Sequence, residues 1–379
     1  MRVLFWTDVY WPLIGGTELL SARLVSALRG RGHQFLVVTS NAGLDLPGEA
    51  VHEGVPIRRL PFWNALAAGA GGSLEGFLEV RQEVARLRRE FEPDLVHVAF
   101  IAPGVLFQLQ TARVYPAPLL VTMQQQRATF QAPASARLLS STLRAADWVV
   151  SCSESTRKDM EAMVPEIAPR SSVIRNALTP PPVVPTPLPE ASPRLLCLGR
   201  LDHQKGFDLA LTAFATVAQR FPDVGMVLAG DGPLRGELEA LASRLGIRQR
   251  VEFLGWVPPT EVPTLMNSAT AVVMPSRDDP YPLVAIETAM MGRPLVATRV
   301  GGLREAVVDQ KTGLLVPPED PDALASALVQ IIGDPGHARR LGEAGRAWAL
   351  ATFSWERFVN AYDDIYHRLL LGRNAHVGI

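Results

Sequence analysis

Short, continuous apolar runs alternate with stretches of helical period along the whole chain, beginning at residues 3–6 and ending at 314–316. Runs this short, bounded by turn residues, read as strands. Continuous rather than alternating hydrophobicity reads as strands covered on both faces, the mark of a parallel sheet. In the first half the pattern predicts strands over 3–6, 35–39, 57–60, 95–98, 119–123, 148–152 and 173–174. Helical patterns fall between them over 17–29, 74–89, 104–112, 136–145 and 154–163.

The alternation then stops. Residues 179–193, TPPPVVPTPLPEASP, hold seven prolines in fifteen positions, which can neither continue a helix nor pair inside a sheet. This stretch reads as a stiff linker. Beyond it the pattern restarts, with strands expected over 194–198, 225–229, 251–254, 270–274, 295–298 and 314–316. Helices are expected over 207–220, 234–245, 261–267, 283–291, 323–332, 338–349 and 355–371. The chain therefore divides into an α/β domain over 1–178, the linker 179–193, a second α/β domain over 194–352, and a terminal helix over 353–379. Both domains are expected to be doubly wound and Rossmann-like, facing a central cleft. Ligands of open parallel sheets sit outside the carboxyl ends of the strands, so chemistry is sought there.

The chain's 379 residues suit two cores. With 47% hydrophobic and 20% charged residues and a net charge of −1, nothing in the composition invites nucleic acid. The two cysteines, Cys152 and Cys197, lie inside apolar runs and read as buried thiols rather than a disulfide or metal site. The opening MRVLFWTDVYW is too short and too soon acidic for a signal peptide, and no apolar run reaches membrane-span length, so a cytoplasmic protein is expected.

Four loops after strands carry candidate chemistry. Gly15-Gly16 open the first helix, where an anion-binding backbone and a simple turn are both open readings. The spacing is not G-x-G-x-x-G, so no dinucleotide fingerprint is present. In CLGRLDHQKGFD, Arg200 and Lys205 put two cations at a strand end, suited to a diphosphate but equally at home on a solvated surface. In SRDDPYPLVAIE, Asp279 precedes a helix and Glu287 follows eight positions later among Ala285, Ile286 and Ala289. A carboxylate can accept two hydroxyls, as ribose and sugars require, whereas an acid near a helix start also suits the dipole. Pro282 is expected near the first helical position. Gly301-Gly302 precede another helix and repeat the logic of the first loop.

These motifs in this order resemble the retaining glycosyltransferases of the GT-B fold, family 4, over nearly the whole chain. The likeness is greatest in GRLDHQKGFDLALTAF, LAGDGPLRGELEALA, VEFLGWVP and GGLREAVVDQKTGLLVPPED. The resemblance implies that Arg200 and Lys205 grip the diphosphate of a nucleotide sugar, which Gly15 and Gly16 also approach. It places the base on backbone groups of Trp256 and Val257, the ribose on Glu287 and the donor sugar's hydroxyls on Asp279. Tyr281, Pro282, Leu283 and Val284 fall in the same donor-binding stretch. The implied reaction is retaining and metal-independent, with the leaving diphosphate receiving the acceptor's proton. No Asp-x-Asp stands in a loop of the kind metal-dependent relatives use. No cofactor is expected beyond the nucleotide sugar, itself a substrate, with a UDP-sugar the commonest case. The acceptor would be a carbohydrate, a lipid or a small molecule.

Four positions depart from the family pattern. Asp279 replaces the usual Glu, Pro282 the usual Gly, and Gln124 stands where many relatives carry His. Asn176-Ala177 likewise replaces Asn-Gly. Gln124 and His97 are the reaction-centre candidates of the first domain, His97 being open to a core reading as well. These departures leave two alternatives standing: a nucleotide-sugar-binding partner or scaffold without turnover, and a sugar-nucleotide epimerase. Among the weaker signals, His33 reads as structural. Residues 62–77 are rich in small side chains and suit either an acceptor loop or a connector. The helix RQEVARLRRE suits a solvated face better than peripheral contact with the inner membrane face.

Overall fold

The computed structural model describes residues 1–13, 15–41, 43–66, 73–125, 127–189 and 191–377. The chain forms two compact units, Met1–Arg175 with Glu356–Ile379, and Asn176–Trp355.

The first unit is an eight-stranded sheet, β1 (Arg2–Trp6), β2 (Gln34–Ser40), β3 (Glu49–His52), β4 (Val55–Leu60), β5 (Leu95–Val98), β6 (Leu119–Met123), β7 (Trp148–Ser151) and β8 (Ser171–Val173), in the order 3-4-2-1-5-6-7-8. All pairings are parallel except β3 with β4. β3 is the strand the apolar pattern missed. Its residues alternate between exposed and half-buried, and Glu53 and Gly54 make a tight turn with φ of 48° and 75°. The helices are α1 (Gly16–Arg29), α2 (Phe62–Leu66), α3 (Leu74–Phe91), α4 (Val105–Thr111), α5 (Pro133–Ala145) and α6 (Glu154–Met163). Serine starts two of them: Ser73 accepts from Gly76 N at α3 and Ser153 from Thr156 N at α6.

The second unit is an all-parallel six-stranded sheet, β9 (Arg194–Leu198), β10 (Gly225–Ala229), β11 (Val251–Gly255), β12 (Ala271–Met274), β13 (Leu295–Thr298) and β14 (Leu314–Val316), in the order 11-10-9-12-13-14. Its helices are α7 (Phe207–Arg220), α8 (Arg235–Arg244), α9 (Val262–Asn267), α10 (Leu283–Met290), α11 (Leu303–Ala306), α12 (Pro321–Gly333) and α13 (Pro335–Thr352). The last helix, α14 (Trp355–Val377), runs into the residues that pack with the first unit, where Phe358, Tyr362 and Tyr366 are buried.

One expectation changes here. The proline-rich stretch lies within the second unit, which starts at Asn176, instead of standing between units. The cause is Arg293, which is 1% exposed and donates to the carbonyls of Thr186, Pro187 and Ala269. Asn267 adds a bond to Val184 O, and Thr270 one to Pro189 O. A buried guanidinium needs acceptors, and a proline chain that lacks N–H groups offers carbonyls.

Candidate functional site

In the second sheet the chain winds from β9 outward to β10 and β11, then returns to β12 on the other side of β9. The strand order therefore reverses between β9 and β12, and their carboxyl ends open the crevice where doubly wound sheets bind ligands. The loop leaving β9 carries Arg200 and Lys205; the loop leaving β12 carries Asp279. Gln204 Nε2 donates to Asp278 O at 3.0 Å and Arg277 N to Gln204 O at 2.8 Å. Gly206, at φ 66°, lets the first loop close over Pro275, whose carbonyl a Cβ would strike.

The sequence-predicted cation and acid meet directly. Lys205 Nζ lies 2.7 Å from Asp279 Oδ2, and the Asp279 side chain is only 4% exposed. Ser276 Oγ adds a longer contact to the same oxygen at 3.4 Å. Arg200 is 72% exposed, 3.8 Å from Asp202. Glu287 is half-buried on α10. Arg277 braces the whole arrangement: its guanidinium takes Asp208 through two bonds of 2.8 and 2.7 Å and also pairs with Glu319. That pairing holds the Asp208 carboxyl below its ordinary range. Arg277 was not singled out in the sequence, where one more arginine beside two acids carries no distinguishing pattern.

The other expected residues lie around this crevice or in the core beside it. Tyr281 is buried, its ring edge-on to Phe353 at 6.0 Å and its carbonyl accepting from Asn176, so its side chain belongs to the core. Pro282 is the residue before α10, not its first helical position, with φ −76° and ψ 127°. Leu283 and Val284 follow it, half-buried, in the turn whose amides have no intrahelical acceptor. Trp256 is 57% exposed just beyond β11, and Val257 is half-buried. The amide of Gly302 donates to Asp279 O at 2.8 Å, so the Gly301-Gly302 pair packs one loop on another instead of presenting that N–H to an anion.

In the first unit, Gly15 and Gly16 are exposed at the start of α1, with the Glu18 side chain folded back over Gly15. Burial raises the Glu18 carboxyl above its usual range. Gln124 follows β6 and lines a cavity of about 10 Å³ with Ser21, Thr122 and Tyr362, while Gln125 accepts from Ile101 N. Gln126 lies outside the described residues, as do residues 67–72 of the small-residue segment. His97 is a core residue: it is fully buried, Nδ1 meets Tyr366 OH at 2.7 Å and Nε2 meets Thr122 Oγ1 at 2.8 Å. Burial pushes its pKa down to about 3. The arginines of α3 are also partly committed. Arg88 is buried and donates to Tyr115 O, and Arg86 pairs with Glu83 and Glu90.

Two family models match end to end: "Glycosyl transferase 4-like domain" over residues 15–177 and "Glycosyl transferases group 1" over 184–348. The chain belongs to the group 1 glycosyltransferases, with the GT-B fold. It is 26% identical to the glycogen synthase of Mycobacterium tuberculosis, covering 97% of this chain and 94% of that protein. It is 39% identical to the D-inositol 3-phosphate glycosyltransferase of Corynebacterium urealyticum over 45% of this chain and 42% of that one. Among solved structures, sucrose-phosphate synthase from Thermosynechococcus elongatus superposes with a TM-score of 0.82 at 24% identity, covering 98% and 99% of the two chains. Anabaena HepE in complex with UDP-glucose gives 0.81 at 21%, covering 97% and 100%.

The glycosyltransferase carries one feature that its motifs did not announce. Asp8, two residues beyond β1 at the carboxyl end of the first sheet, is 1% exposed, and neither oxygen meets a donor at hydrogen-bonding geometry. Burial pushes its carboxyl up to about 7, opposed only in part by the Gly104 amide and the Trp63 side chain. An acid directly after a buried run was the available signal. Among the described residues no helix is long and apolar enough to cross a membrane.

Proposed function

We propose that this glycosyltransferase moves a sugar from a nucleotide-diphosphate donor to an acceptor hydroxyl with retention of configuration and without a metal ion. The observation that carries the reading is the Lys205–Asp279 pair at the switch point of the second sheet. An ammonium has three N–H groups, and Asp279 takes one, so Lys205 can hold the diphosphate and the acid at once. Asp279 then offers its other oxygen to the donor sugar's hydroxyls, and Glu287 takes the ribose. Trp256 and Val257 hold the base through their backbone, and the amides of Leu283 and Val284 face the phosphates. Arg200 adds a planar fork to the diphosphate.

Chemically the site needs positioning and charge stabilisation more than a proton-accepting side chain. The acceptor hydroxyl attacks on the face the diphosphate leaves, and its proton passes to the departing phosphate oxygen. Arg200 and Lys205 offset the negative charge that develops there. Arg200 supplies positive charge and Lys205 a charged hydrogen-bond donor at the place a divalent ion takes elsewhere, which supports metal independence. Asp320-Pro321-Asp322, an Asp-x-Asp in the chain, starts α12, with Asp320 accepting from Ala323 N at 2.8 Å. The epimerase alternative needs acid/base groups around the donor sugar, and Gln124, standing where a His could serve, argues against it; both nitrogens of the buried His97 are engaged as well. The partner-subunit alternative rests on Pro282, which has no N–H to offer, and on the neutral Gln124.

Thermal-shift measurements against UDP-, GDP- and ADP-sugars, each with and without EDTA, test the proposal. The expected result is an EDTA-insensitive shift with one donor, lost in Arg200→Ala, followed by transfer that Glu287→Ala abolishes. No shift with any donor in a folded protein would sink it; a shift without transfer would favour the partner subunit.

A further inference from the structure

His33, Asp363 and His367 converge on the first unit, and none of them is among the residues assigned to transfer. His33 immediately precedes β2, at the amino-terminal edge of the parallel strands, opposite the edge where ligand loops emerge. Asp363 and His367 are four residues apart on α14 and so share a face. His33 Nε2 lies 2.7 Å from Asp363 Oδ1, and His367 Nδ1 lies 3.3 Å from that same oxygen. One ligand atom from each of the three lies within 4.8 Å of the others. The edge of a tetrahedron drawn around a zinc ion with bonds near 2.0 Å is about 3.3 Å, so modest adjustments bring the three atoms to coordination distance.

We propose that this His-Asp-His set is a site for a divalent transition metal of the zinc, cobalt and nickel class, joining the returning helix α14 to the start of β2. Two imidazoles and one carboxylate select such ions over magnesium and calcium, which favour oxygen-only shells. Arg31 Nη1 donates to Asp363 Oδ2 at 3.0 Å, and the same guanidinium bonds Asn360. The carboxylate is thereby oriented with Oδ1 turned to the histidines, as outer partners of metal-bound carboxylates do. His367 is 61% exposed, which leaves the remaining coordination positions open to water.

The metal replaces the His33–Asp363 hydrogen bond and the 2.9 Å contact of His367 Nδ1 to Asp363 O, and the His33 ring proton moves to Nδ1. That nitrogen is buried without a hydrogen-bond partner, so the site is weaker than one whose second nitrogen is anchored.

The test uses the full chain free of any histidine tag. Zn²⁺ is expected to bind one to one by calorimetry and to raise the melting temperature, Mg²⁺ to do neither, and Co²⁺ to add a visible absorption band. His367→Ala, an exposed change, should leave metal-free melting unaltered and weaken Zn²⁺ binding by about tenfold or more. Equal Zn²⁺ affinity in His367→Ala, or no Co²⁺ band in the unaltered chain, would overturn the proposal. None of these readouts requires donor binding or transfer.

Discussion

Lys205→Ala removes the ammonium that lies 2.7 Å from Asp279 Oδ2 and leaves a carboxylate that is 4% exposed. At an effective dielectric near 20, two unit charges at that distance attract by about 6 kcal/mol. Removing one partner of a buried pair costs about 3–5 kcal/mol, because the other charge stays desolvated. Lys205 is itself 24% exposed, so water can follow the truncated side chain and reduce the loss to about 2–3 kcal/mol. Asp279→Ala is not its mirror image. It leaves the lysine at the mouth of the site on a flexible stem that can turn to solvent, and should cost about 1 kcal/mol. The double variant removes both charges and should fall close to Asp279→Ala, giving a coupling of about 2–3 kcal/mol. Urea melts of the four proteins measure this, and donor thermal shifts, lost in all three variants, connect it to binding. Equal costs for the single changes with an additive double change would refute the reasoning, since the two groups would then not form one buried pair.

Two further perturbations probe the first unit. Folding raises the Asp8 carboxyl from 3.8 to about 7, so the native state favours its protonated form. The stability of the unaltered chain relative to Asp8→Asn should therefore be greatest near pH 4, fall by about 4 kcal/mol as pH rises to 7, and stay level above that; urea melts across this range giving a flat difference would show that the carboxyl is solvated. Tyr366→Phe deletes the hydroxyl 2.7 Å from His97 Nδ1 and should cost about 1–3 kcal/mol by leaving a buried ring nitrogen unpaired. Tyr362→Phe, whose contact to Thr122 is 3.3 Å, should cost less, and a reversed order in thermal melts would count against the hydrogen-bond account.

Strands buried on both faces were readable because their apolar runs leave no other assignment: 95–98, 119–123, 194–198, 225–229, 295–298 and 314–316 match the structure residue for residue. β3 was not, because an edge strand with one wet face has no run to see. The candidate site was readable as residue types at strand ends, and the reversal between β9 and β12 explains why those ends matter. What the chain could not disclose is which groups pair. Lys205 and Asp279 were read as serving two different parts of a ligand, and 74 positions separate them. Only the adjacency of β9 and β12 makes them neighbours. For His97, open to a site or a core reading, and for Tyr281, only the partners decide where the side chain sits, Tyr366 and Thr122 for the one and Phe353 for the other.

The pairing changes how the site's charge should be counted. Read separately, the loop after β9 offers a diphosphate two cations. With Lys205 matched to a buried acid at 2.7 Å, that pair is close to neutral, and Arg200, 72% exposed and 3.8 Å from Asp202, supplies most of the remaining positive charge. On the proposed donor site, attraction of the donor from solution would therefore rest chiefly on Arg200, whereas Lys205 would act over hydrogen-bond distance once the diphosphate has arrived. The shorter acid fits this division. Asp279 reaches Lys205 from a main chain held by the Gly302 amide on Asp279 O, with the Ser276 hydroxyl on carboxylate Oδ2. One more methylene would add a rotatable bond and a wider range of positions. A fixed carboxylate positions Lys205, and a positioned lysine limits where the leaving phosphate oxygen can sit. On the proposed donor site, the departure from Glu would trade reach toward the donor sugar for a fixed lysine.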